Sequence, residues 1–205
     1  TIGGATASNL VSKGAYAVII DVPAVEIGEK IIRALPNAER YSYHVADITD
    51  QQSLQAAIDA ALQVIPKGSL AGAVHCAGAN PQTPYTNKMV EKIKDFETAV
   101  RINTVGTFVV NAVVSDAINS QYPPLDSLAE RVTEERGAIV NVASVGAFNT
   151  PARCLTYGPS KTAVLGITNA TADYLAPSGI RVNSVAPAVV LSQMLEKGGR
   201  KQVFV

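Results

Sequence analysis

Short apolar runs alternate with longer stretches of helical periodicity along this chain, and this alternation constrains the fold more than any other feature. The runs are rich in valine and isoleucine and are bounded by glycine, aspartate or proline, which is typical of buried strands. The pattern predicts a parallel α/β sheet with helices on both faces, in a three-layer α/β/α domain. The predicted strands are Ala15–Ile20, Tyr41–Ala46, Ala71–Cys76, Ala138–Ala143 and Ile180–Ala186.

Four further stretches have the apolar spacing of helices. In the clearest, apolar residues recur every three or four positions from Leu54 to Ile65, Asp50 is a suitable N-cap, and Pro66 ends the helix. The other helices are predicted at Val25–Leu35, from about Val90 to Ile118, and at Pro159–Leu175.

The composition restricts the class of protein. A length of 205 residues with 47% hydrophobic residues fits one domain, residues 1–205, with a substantial core. The 17 basic residues balance the 17 acidic residues, which argues against a nucleic-acid or anionic-membrane partner. No apolar run is long enough to span a bilayer, and two cysteines offer neither a disulfide framework nor a metal pair. We expect a cytoplasmic protein without a metal site, with a mitochondrial location left open.

Both ends of the chain lack elements that we expect in such a domain. The chain opens in a glycine-rich segment that should follow a strand, so we expect a first strand before Thr1, central in the sheet. The segment Gln202–Val205 resembles the beginning of a strand set abruptly after Gly198–Arg200. We expect part of the C-terminal region to be missing there.

The first residues have the pattern of a dinucleotide-binding unit. The glycine-rich segment Thr1–Ala7 leads into a helix, whose N-terminal N–H groups favour a pyrophosphate. Asp21 ends the first predicted strand 18 residues after Gly3, near the spacing at which a carboxylate accepts hydrogen bonds from the ribose hydroxyls. Such a carboxylate repels a 2′-phosphate and favours NAD over NADP. The motif predicts a Rossmann-like doubly wound sheet; a plain helix start and a solvated aspartate are the alternative.

Two more segments follow predicted strands, at the edge where open α/β sheets bind ligands. Asp47 and Ile48 follow the second strand, and Ala77 and Gly78 follow the third. Small residues let a nucleotide lie on the backbone, while Asp47 has two interpretations. It bonds the adenine amino group, or it caps the next turn.

The segment Tyr157-Gly158-Pro159-Ser160-Lys161 carries the strongest indication of chemistry. Tyr157 and Lys161 are four residues apart, so they share one face of a helix. A phenol has an ordinary pKa near 10, and a nearby ammonium stabilises the phenolate that a base requires. Ser144 follows the fourth predicted strand, where its hydroxyl orients a substrate oxygen against Tyr157. Asn103 is polar within an apolar helix; it holds a water in a proton relay or bends the helix.

Together these motifs resemble the short-chain dehydrogenase/reductase family over nearly the whole chain. The resemblance implies an oxidoreductase and a homo-oligomer, dimeric or tetrameric, assembled through the helices at Val90–Ile118 and Pro159–Leu175. It implies that the catalytic residues are Ser144, Tyr157, Lys161 and Asn103. It implies that NAD contacts Ile2, Gly3, Asp21, Val22, Asp47, Ile48, Cys76, Ala77, Gly78, Tyr157, Lys161, Pro187, Ala188, Val189 and Val190.

A narrower resemblance concerns three segments. The His75–Gly78 turn, Val142–Phe148 and the polar insert Pro123–Arg136 resemble the 3-hydroxyacyl-CoA dehydrogenase (type-10 hydroxysteroid dehydrogenase) branch. The chain departs from the family pattern in three places: His75-Cys76 stands for Asn-Asn, Pro187-Ala188 for Pro-Gly, and Thr1 for the second glycine. These departures concern cofactor affinity more than chemistry.

The sequence therefore predicts an NAD-dependent enzyme that interconverts a secondary alcohol and a ketone, such as a 3-hydroxyacyl-CoA or a hydroxysteroid. The alternatives are an NADP-linked ketone reductase of biosynthesis and a non-catalytic NAD-binding sensor or scaffold. Phe148, Pro151 and Leu155 predict an apolar substrate pocket, and Arg153 either meets an anionic group or is exposed.

Overall fold

Five parallel strands alternate with helices in the computed structural model, which describes residues 1–81, 84–125, 132–150 and 154–190. Each predicted strand is confirmed to within two residues of its predicted ends. β-branched residues bounded by turn residues thus suffice to locate the buried strands of this chain. The strands are β1 Ala17–Asp21, β2 Tyr41–Val45, β3 Gly72–His75, β4 Gly137–Val142 and β5 Ile180–Val185.

The predicted helices are confirmed as well. Asp50 caps the third helix, because its Oδ1 accepts hydrogen bonds from the backbone N–H groups of Gln52 and Ser53. The long predicted helix between β3 and β4 is divided, since Val100–Val105 forms a π-helical turn between two α-helices. The α-helices are α1 Ile2–Ser12, α2 Val25–Arg33, α3 Gln51–Leu62, α4 Ile93–Ala99, α5 Gly106–Asn119 and α6 Tyr157–Leu175.

The strands form two parallel sheets, β1-β2 and β3-β4-β5. The registers pair Ala17 with Tyr41, Gly72 with Ala138 and Gly137 with Ile180. Within the described residues, β1 and β3 share no ladder hydrogen bonds. The expectation of a further strand between them stays a prediction.

The main core lies between α3, α5 and the strands that they cover. It contains Ile58 of α3, Val113 and Ile118 of α5, Ile139 of β4 and Val182 of β5. A smaller cluster of Ala7, Val11 and Ala17 joins α1 to β1. Both clusters lie between helices and strands, so the strands are held in place and their carboxyl ends form a defined edge.

Some predicted features lie outside the described residues. These are the strand-like segment Gln202–Val205, the pocket residues Pro151 and Arg153, and residues 126–131 of the polar insert. None of the helices among the described residues is long and apolar enough to cross a membrane.

Candidate active site

The four predicted catalytic residues come from three elements at the carboxyl edge of the β3-β4-β5 sheet. Ser144 follows β4, Tyr157 and Lys161 belong to the first turns of α6, and Asn103 lies in the π-helical turn. Their backbones are set by the sheet and by two packed helices, so the side chains converge without a contribution from long loops.

Ser144 and Tyr157 form the part of the site that faces a substrate. The Ser144 hydroxyl caps the short 3₁₀ turn Val145–Ala147, accepting a hydrogen bond of 3.1 Å from the Gly146 N–H. Burial raises the pKa of the Tyr157 phenol, and a side-chain hydrogen bond with Ser144 opposes this shift. Ser144 is therefore oriented by its own turn and lies close enough to the phenol to affect its pKa.

Lys161 is buried beneath this pair, with 4% of its surface exposed. Its Nζ donates a 2.7 Å hydrogen bond to the Val142 carbonyl oxygen and lies 5.9 Å from the centroid of the Tyr157 ring. Burial lowers the pKa of Lys161 to about 8. The lysine is thus an ammonium at neutral pH, but one with a large desolvation cost.

The stabilisation of a Tyr157 phenolate by Lys161 stays a prediction. The pKa of Tyr157 is raised, because burial outweighs the hydrogen bond with Ser144. The Lys161 ammonium donates to the Val142 carbonyl and also lies over the Tyr157 ring. The phenol is held in its protonated form, which is the form that donates a proton.

Asn103 is fully buried, and its amide bonds to protein groups on both sides. Its Nδ2 donates to the Ala79 carbonyl at 2.8 Å and to Ser160 Oγ at 2.9 Å, while its Oδ1 accepts from the Ala79 N–H at 2.8 Å. The side chain therefore ties the segment after β3 to α6. The helix is locally π-helical at this residue, a form that is frequent at functional sites. The irregular helix agrees with the second interpretation, and the water-holding role stays a prediction.

The glycine after β3 fits between the two buried polar side chains. A Cβ on Gly78 would lie 3.1 Å from Asn103 Oδ1 and 3.2 Å from Lys161 Nζ, closer than most real contacts. A Cβ on Gly3 would lie 3.3 Å from Cys76 Cβ, so the start of α1 abuts the end of β3. The segments predicted to hold a dinucleotide thus meet beside Lys161.

The start of α1 is capped by the protein itself. The Thr1 hydroxyl accepts a 3.0 Å hydrogen bond from the Gly4 N–H, one of the donors expected to face a pyrophosphate. Ile2 is half-buried behind it. A phosphate at this end must share or replace the Thr1 hydroxyl.

Asp21 is the last residue of β1, as predicted, and its side chain is exposed. Its Oδ1 accepts a 2.8 Å hydrogen bond from the N–H of Val22, which is itself 65% exposed. Tyr43 of β2 lies close by, and its pKa is raised by burial and by the negative charge of Asp21. The carboxylate is therefore fixed in direction at the carboxyl edge of the sheet.

The contacts of Asp47 agree with the interpretation that it caps the next turn. Its Oδ1 accepts a 2.8 Å hydrogen bond from the Thr49 N–H, and this bond lowers the pKa of the carboxyl group. The Ile48 side chain packs against Gly106, where a Cβ would lie 2.7 Å from Ile48 Cδ1. Their contacts with adenine stay predictions.

The loop after β5 approaches Ser144 and the turn Val145–Ala147, which we call the serine turn. The Pro187 carbonyl accepts a 3.0 Å hydrogen bond from the Val145 N–H, next to Ser144. Ala188, Val189 and Val190 are exposed beyond it. The segment Pro187–Val190, which is predicted to contact NAD, therefore borders Ser144.

A family model described as short chain dehydrogenase matches residues 1–202. The chain belongs to the short-chain dehydrogenase/reductase family. Members of this family are oxidoreductases that act on small molecules with NAD or NADP. The family prediction and the Rossmann-like α/β fold class are thereby confirmed.

Several relatives cover most of the chain. The 3-hydroxyacyl-CoA dehydrogenases type-2 of Bos taurus and Homo sapiens are 32% and 34% identical over 197 residues, which is 95% of this chain and 71% of each relative. A short-chain dehydrogenase of Neurospora crassa, srdC, is 32% identical over 203 residues, 96% of this chain and 73% of that protein. The crystal structure of levodione reductase superposes with a TM-score of 0.76 at 26% identity, covering 95% of this chain and 69% of that one.

The substrate side of this short-chain dehydrogenase is partly apolar and open. Phe148 is 73% exposed and Leu155 is 50% exposed. Thr162 of α6 donates a 2.8 Å hydrogen bond to the Ala147 carbonyl, and Thr150 packs so closely over Gly158 that a Cβ there would overlap it. These contacts attach the serine turn to the helix that carries Tyr157.

Sequence reasoning missed the buried polar residues behind the catalytic edge. They are His75, Thr107, Asn111, Asn141, Ser160 and Thr168. The available signal was the presence of asparagine, serine and threonine at core-facing positions of apolar elements. His75 drew attention only as a departure from the family pattern.

We expect His75 to make this dehydrogenase sensitive to acid. Burial and the nearby Lys161 ammonium lower the pKa of His75 from 6.5 to about 4. The unfolded chain then binds a proton more readily than the folded one, so stability from this group is complete above pH 6.5 and is lost as the pH falls through 4. The loss amounts to about 3 kcal/mol.

The measurement is the free energy of unfolding in urea at several pH values between 7 and 4. Carboxyl groups also contribute to the slope, so the relevant quantity is the difference between the wild-type protein and His75→Asn. Parallel pH profiles for the two proteins would contradict the assignment to His75.

Proposed function

We propose that this protein is an NAD-dependent oxidoreductase that interconverts a secondary alcohol and a ketone, with Tyr157 as its proton donor and acceptor. The observation that carries the proposal is that the Tyr157 ring lies over the buried Lys161, 5.9 Å from its Nζ, while Ser144 is close enough to the phenol to affect its pKa. A hydroxyl donor, a titratable phenol and a cation at one edge of a sheet form a set that transfers protons to and from a carbonyl oxygen.

The described residues fit a dinucleotide. Gly3 and Gly78 leave space where a side chain would meet Cys76, Asn103 or Lys161, and Asp21 presents a carboxylate at the end of β1. When bound, the nicotinamide ring supplies the hydride acceptor or donor. Asp21 would hold the ribose hydroxyls, and the segment after Pro187 would face the carboxamide.

Four residues of this chain have separate roles in the proposed proton transfer. Ser144 donates a hydrogen bond to the substrate oxygen and holds it against Tyr157. Tyr157 gives its proton to the oxygen in ketone reduction and takes it back in alcohol oxidation. Lys161 supplies a positive charge near the phenolate, and Asn103 keeps the segment after β3 against α6. Because the pKa of Tyr157 is raised, we propose that the rate of alcohol oxidation increases toward alkaline pH.

The substrate class follows from the relatives and from the apolar surface. Relatives named 3-hydroxyacyl-CoA dehydrogenase type-2 and the exposed Phe148 and Leu155 support a 3-hydroxyacyl thioester or a hydroxysteroid. The protonated phenol and the likeness to levodione reductase favour a second candidate, a ketone reductase.

The experiment is a screen in both directions. Formation of NADH is followed with 3-hydroxyacyl thioesters, hydroxysteroids and simple secondary alcohols, and its consumption is followed with the matching ketones. Turnover in the wild-type protein that is lost in Tyr157→Phe supports the proposal. Binding of NADH without turnover of any substrate would favour the non-catalytic sensor.

Asp21 is expected to determine the choice of cofactor. Substitution Asp21→Ser removes the charge that repels a 2′-phosphate, so the ratio of the Kd values for NADPH and NADH should fall at least about tenfold. Titration of the protein with both cofactors measures this ratio, and Asp116→Ser, an exposed position on α5, is the control. Tighter binding of NADPH than of NADH by the wild-type protein would contradict the NAD assignment.

We also propose a homo-oligomer. Phe96 on α4 and Phe108 on α5 are 45% and 57% exposed, and such apolar surface on neighbouring helices supports a subunit contact. The choice between a dimer and a tetramer, and the cytoplasmic location, stay predictions.

A further inference from the structure

Three buried polar atoms, one each in β3, β4 and the middle of α5, have no hydrogen-bond partner among the described residues. They are His75 Nε2, Asn111 Oδ1 and Asn141 Oδ1. Their residues are 6%, 1% and 0% exposed. A buried polar atom without a partner is destabilising, so three of them in one region require a common explanation.

His75 and Asn141 are neighbours in the sheet. They are directly paired in the register of β3 and β4, and paired residues of parallel strands project from the same face. The Asn141 amide donates a 3.0 Å hydrogen bond to Thr168 of α6, which shows that this face is the one covered by α6. His75 therefore also projects toward the helices.

Asn111 lies at the same level. The helical stretch from Asn103 to Ile118 runs alongside the segment from Ala79 back to Ala71. At its start, Asn103 bonds to Ala79; at its end, Ile118 approaches Gly137, which Ala71 also approaches. Asn111 is midway along this helical stretch, and His75, the last residue of β3, is midway along the segment from Ala71 to Ala79. Asn111 also bonds to Thr171, one helical turn from Thr168, the partner of Asn141.

The orientation of both amides is fixed by α6. Thr168 Oγ1 donates its hydrogen to the Val164 carbonyl at 2.7 Å, and Thr171 Oγ1 donates to the Ile167 carbonyl at 2.8 Å. Each hydroxyl can then only accept from an asparagine, so the amide nitrogens face α6. The two amide oxygens therefore face away from the threonine hydroxyls of α6.

We propose that His75, Asn111 and Asn141 bind one internal water molecule between β3, β4 and α5. A neutral imidazole offers one donor at Nε2, whereas the two amide oxygens need two donors. A direct bond from His75 satisfies one oxygen and leaves the other unpaired. One water accepts from His75 Nε2 and donates to both oxygens, so it satisfies all three atoms and has the three partners typical of a buried water.

This water lies directly behind the catalytic lysine. Val142, whose carbonyl receives the Lys161 ammonium, is the next residue after Asn141. His75 leads into the segment that places Gly78 against Lys161. The water therefore ties together the two strand ends that position Lys161, which makes His75 a positioning residue. This role rests on the proposed function, while the water site does not.

A high-resolution crystal structure tests the site itself. We expect one water within about 3.2 Å of His75 Nε2 and of both amide oxygens. Nitrogen NMR of the imidazole should show the neutral form with its proton on Nε2. A direct bond between His75 and either asparagine, or an empty cavity, would overturn the proposal whether or not the protein is an active enzyme.

Kinetics of two variants test the positioning role. His75→Leu should lower kcat about tenfold and move the rise of alcohol oxidation to higher pH, because Lys161 is no longer held in place. His75→Asn, which keeps a polar side chain, should restore most of kcat. The control is Asn119→Leu, which removes another unpaired buried oxygen at the far end of α5 and should change neither quantity. An unchanged pH profile in His75→Leu would overturn the positioning role.

Discussion

The variant Tyr157→Phe is expected to lower kcat by about 10³-fold while leaving the Kd for NADH unchanged. General acid–base catalysis contributes about 10²–10⁴-fold, and no described side chain besides Tyr157 combines contact with Ser144 and proximity to Lys161. Phenylalanine fills the same space at the start of α6, so the helix and the neighbouring Gly158 are not disturbed. The loss should appear in kcat for both directions of the reaction.

Two measurements distinguish lost chemistry from lost structure in this variant. Cofactor binding, followed by NADH fluorescence, should be unaffected because the ring is retained. Tyr174→Phe, on the same helix with a side chain 76% exposed, should have normal kinetics. Near-normal turnover in Tyr157→Phe would refute the assignment of Tyr157 as the proton donor and acceptor.

Local sequence was sufficient to predict the strands and the location of the site. Val140 and Ile139 identify β4, and the position of Ser144 just after it follows from the strand's end. The spacing of Tyr157 and Lys161 predicts one helix face, which α6 confirms. These features depend on residues close together in the chain, where periodicity and turn residues carry the information.

The electrostatics of the site could not be predicted in the same way. The pKa of Tyr157 depends on its burial and on its hydrogen bond with Ser144, and the direction of the Lys161 ammonium is set by the Val142 carbonyl. The spacing of two residues on a helix does not reveal a third partner on a neighbouring strand. The same reason applies to Asn103, whose amide contacts Ala79 and Ser160 from distant parts of the chain.

The buried polar cluster around His75 is the clearest case of information that exists only in three dimensions. His75 is paired with Asn141 in the register of β3 and β4, and Asn111 and Asn141 bond to threonines one turn apart on α6. Each residue alone is an unremarkable polar residue in an apolar segment. The proposed water site can be inferred only when the three unpaired atoms are considered together.

The variant Lys161→Met is expected to be more stable than the wild-type protein and nearly inactive. Burial lowers the pKa of Lys161 from 10.5 to about 8, so the folded state pays about 3 kcal/mol to keep the ammonium at pH 7. Methionine has a similar length and no charge, although it leaves the Val142 carbonyl without its donor. We expect a net gain on the order of 2 kcal/mol in the free energy of unfolding, and a loss of kcat of about 10²-fold.

The pH dependence identifies the origin of this gain. As the pH rises from 8 toward 10.5, the folded wild-type protein loses the proton of Lys161 while the unfolded chain still binds it. The cost of the ammonium therefore declines, and the advantage of Lys161→Met in urea unfolding should shrink over this range. Lys67→Met, at an exposed position, should change stability by less than about 0.5 kcal/mol at every pH. A less stable Lys161→Met at pH 7 would show that the Val142 hydrogen bond outweighs desolvation, and that this lysine is retained for structure as well as for proton transfer.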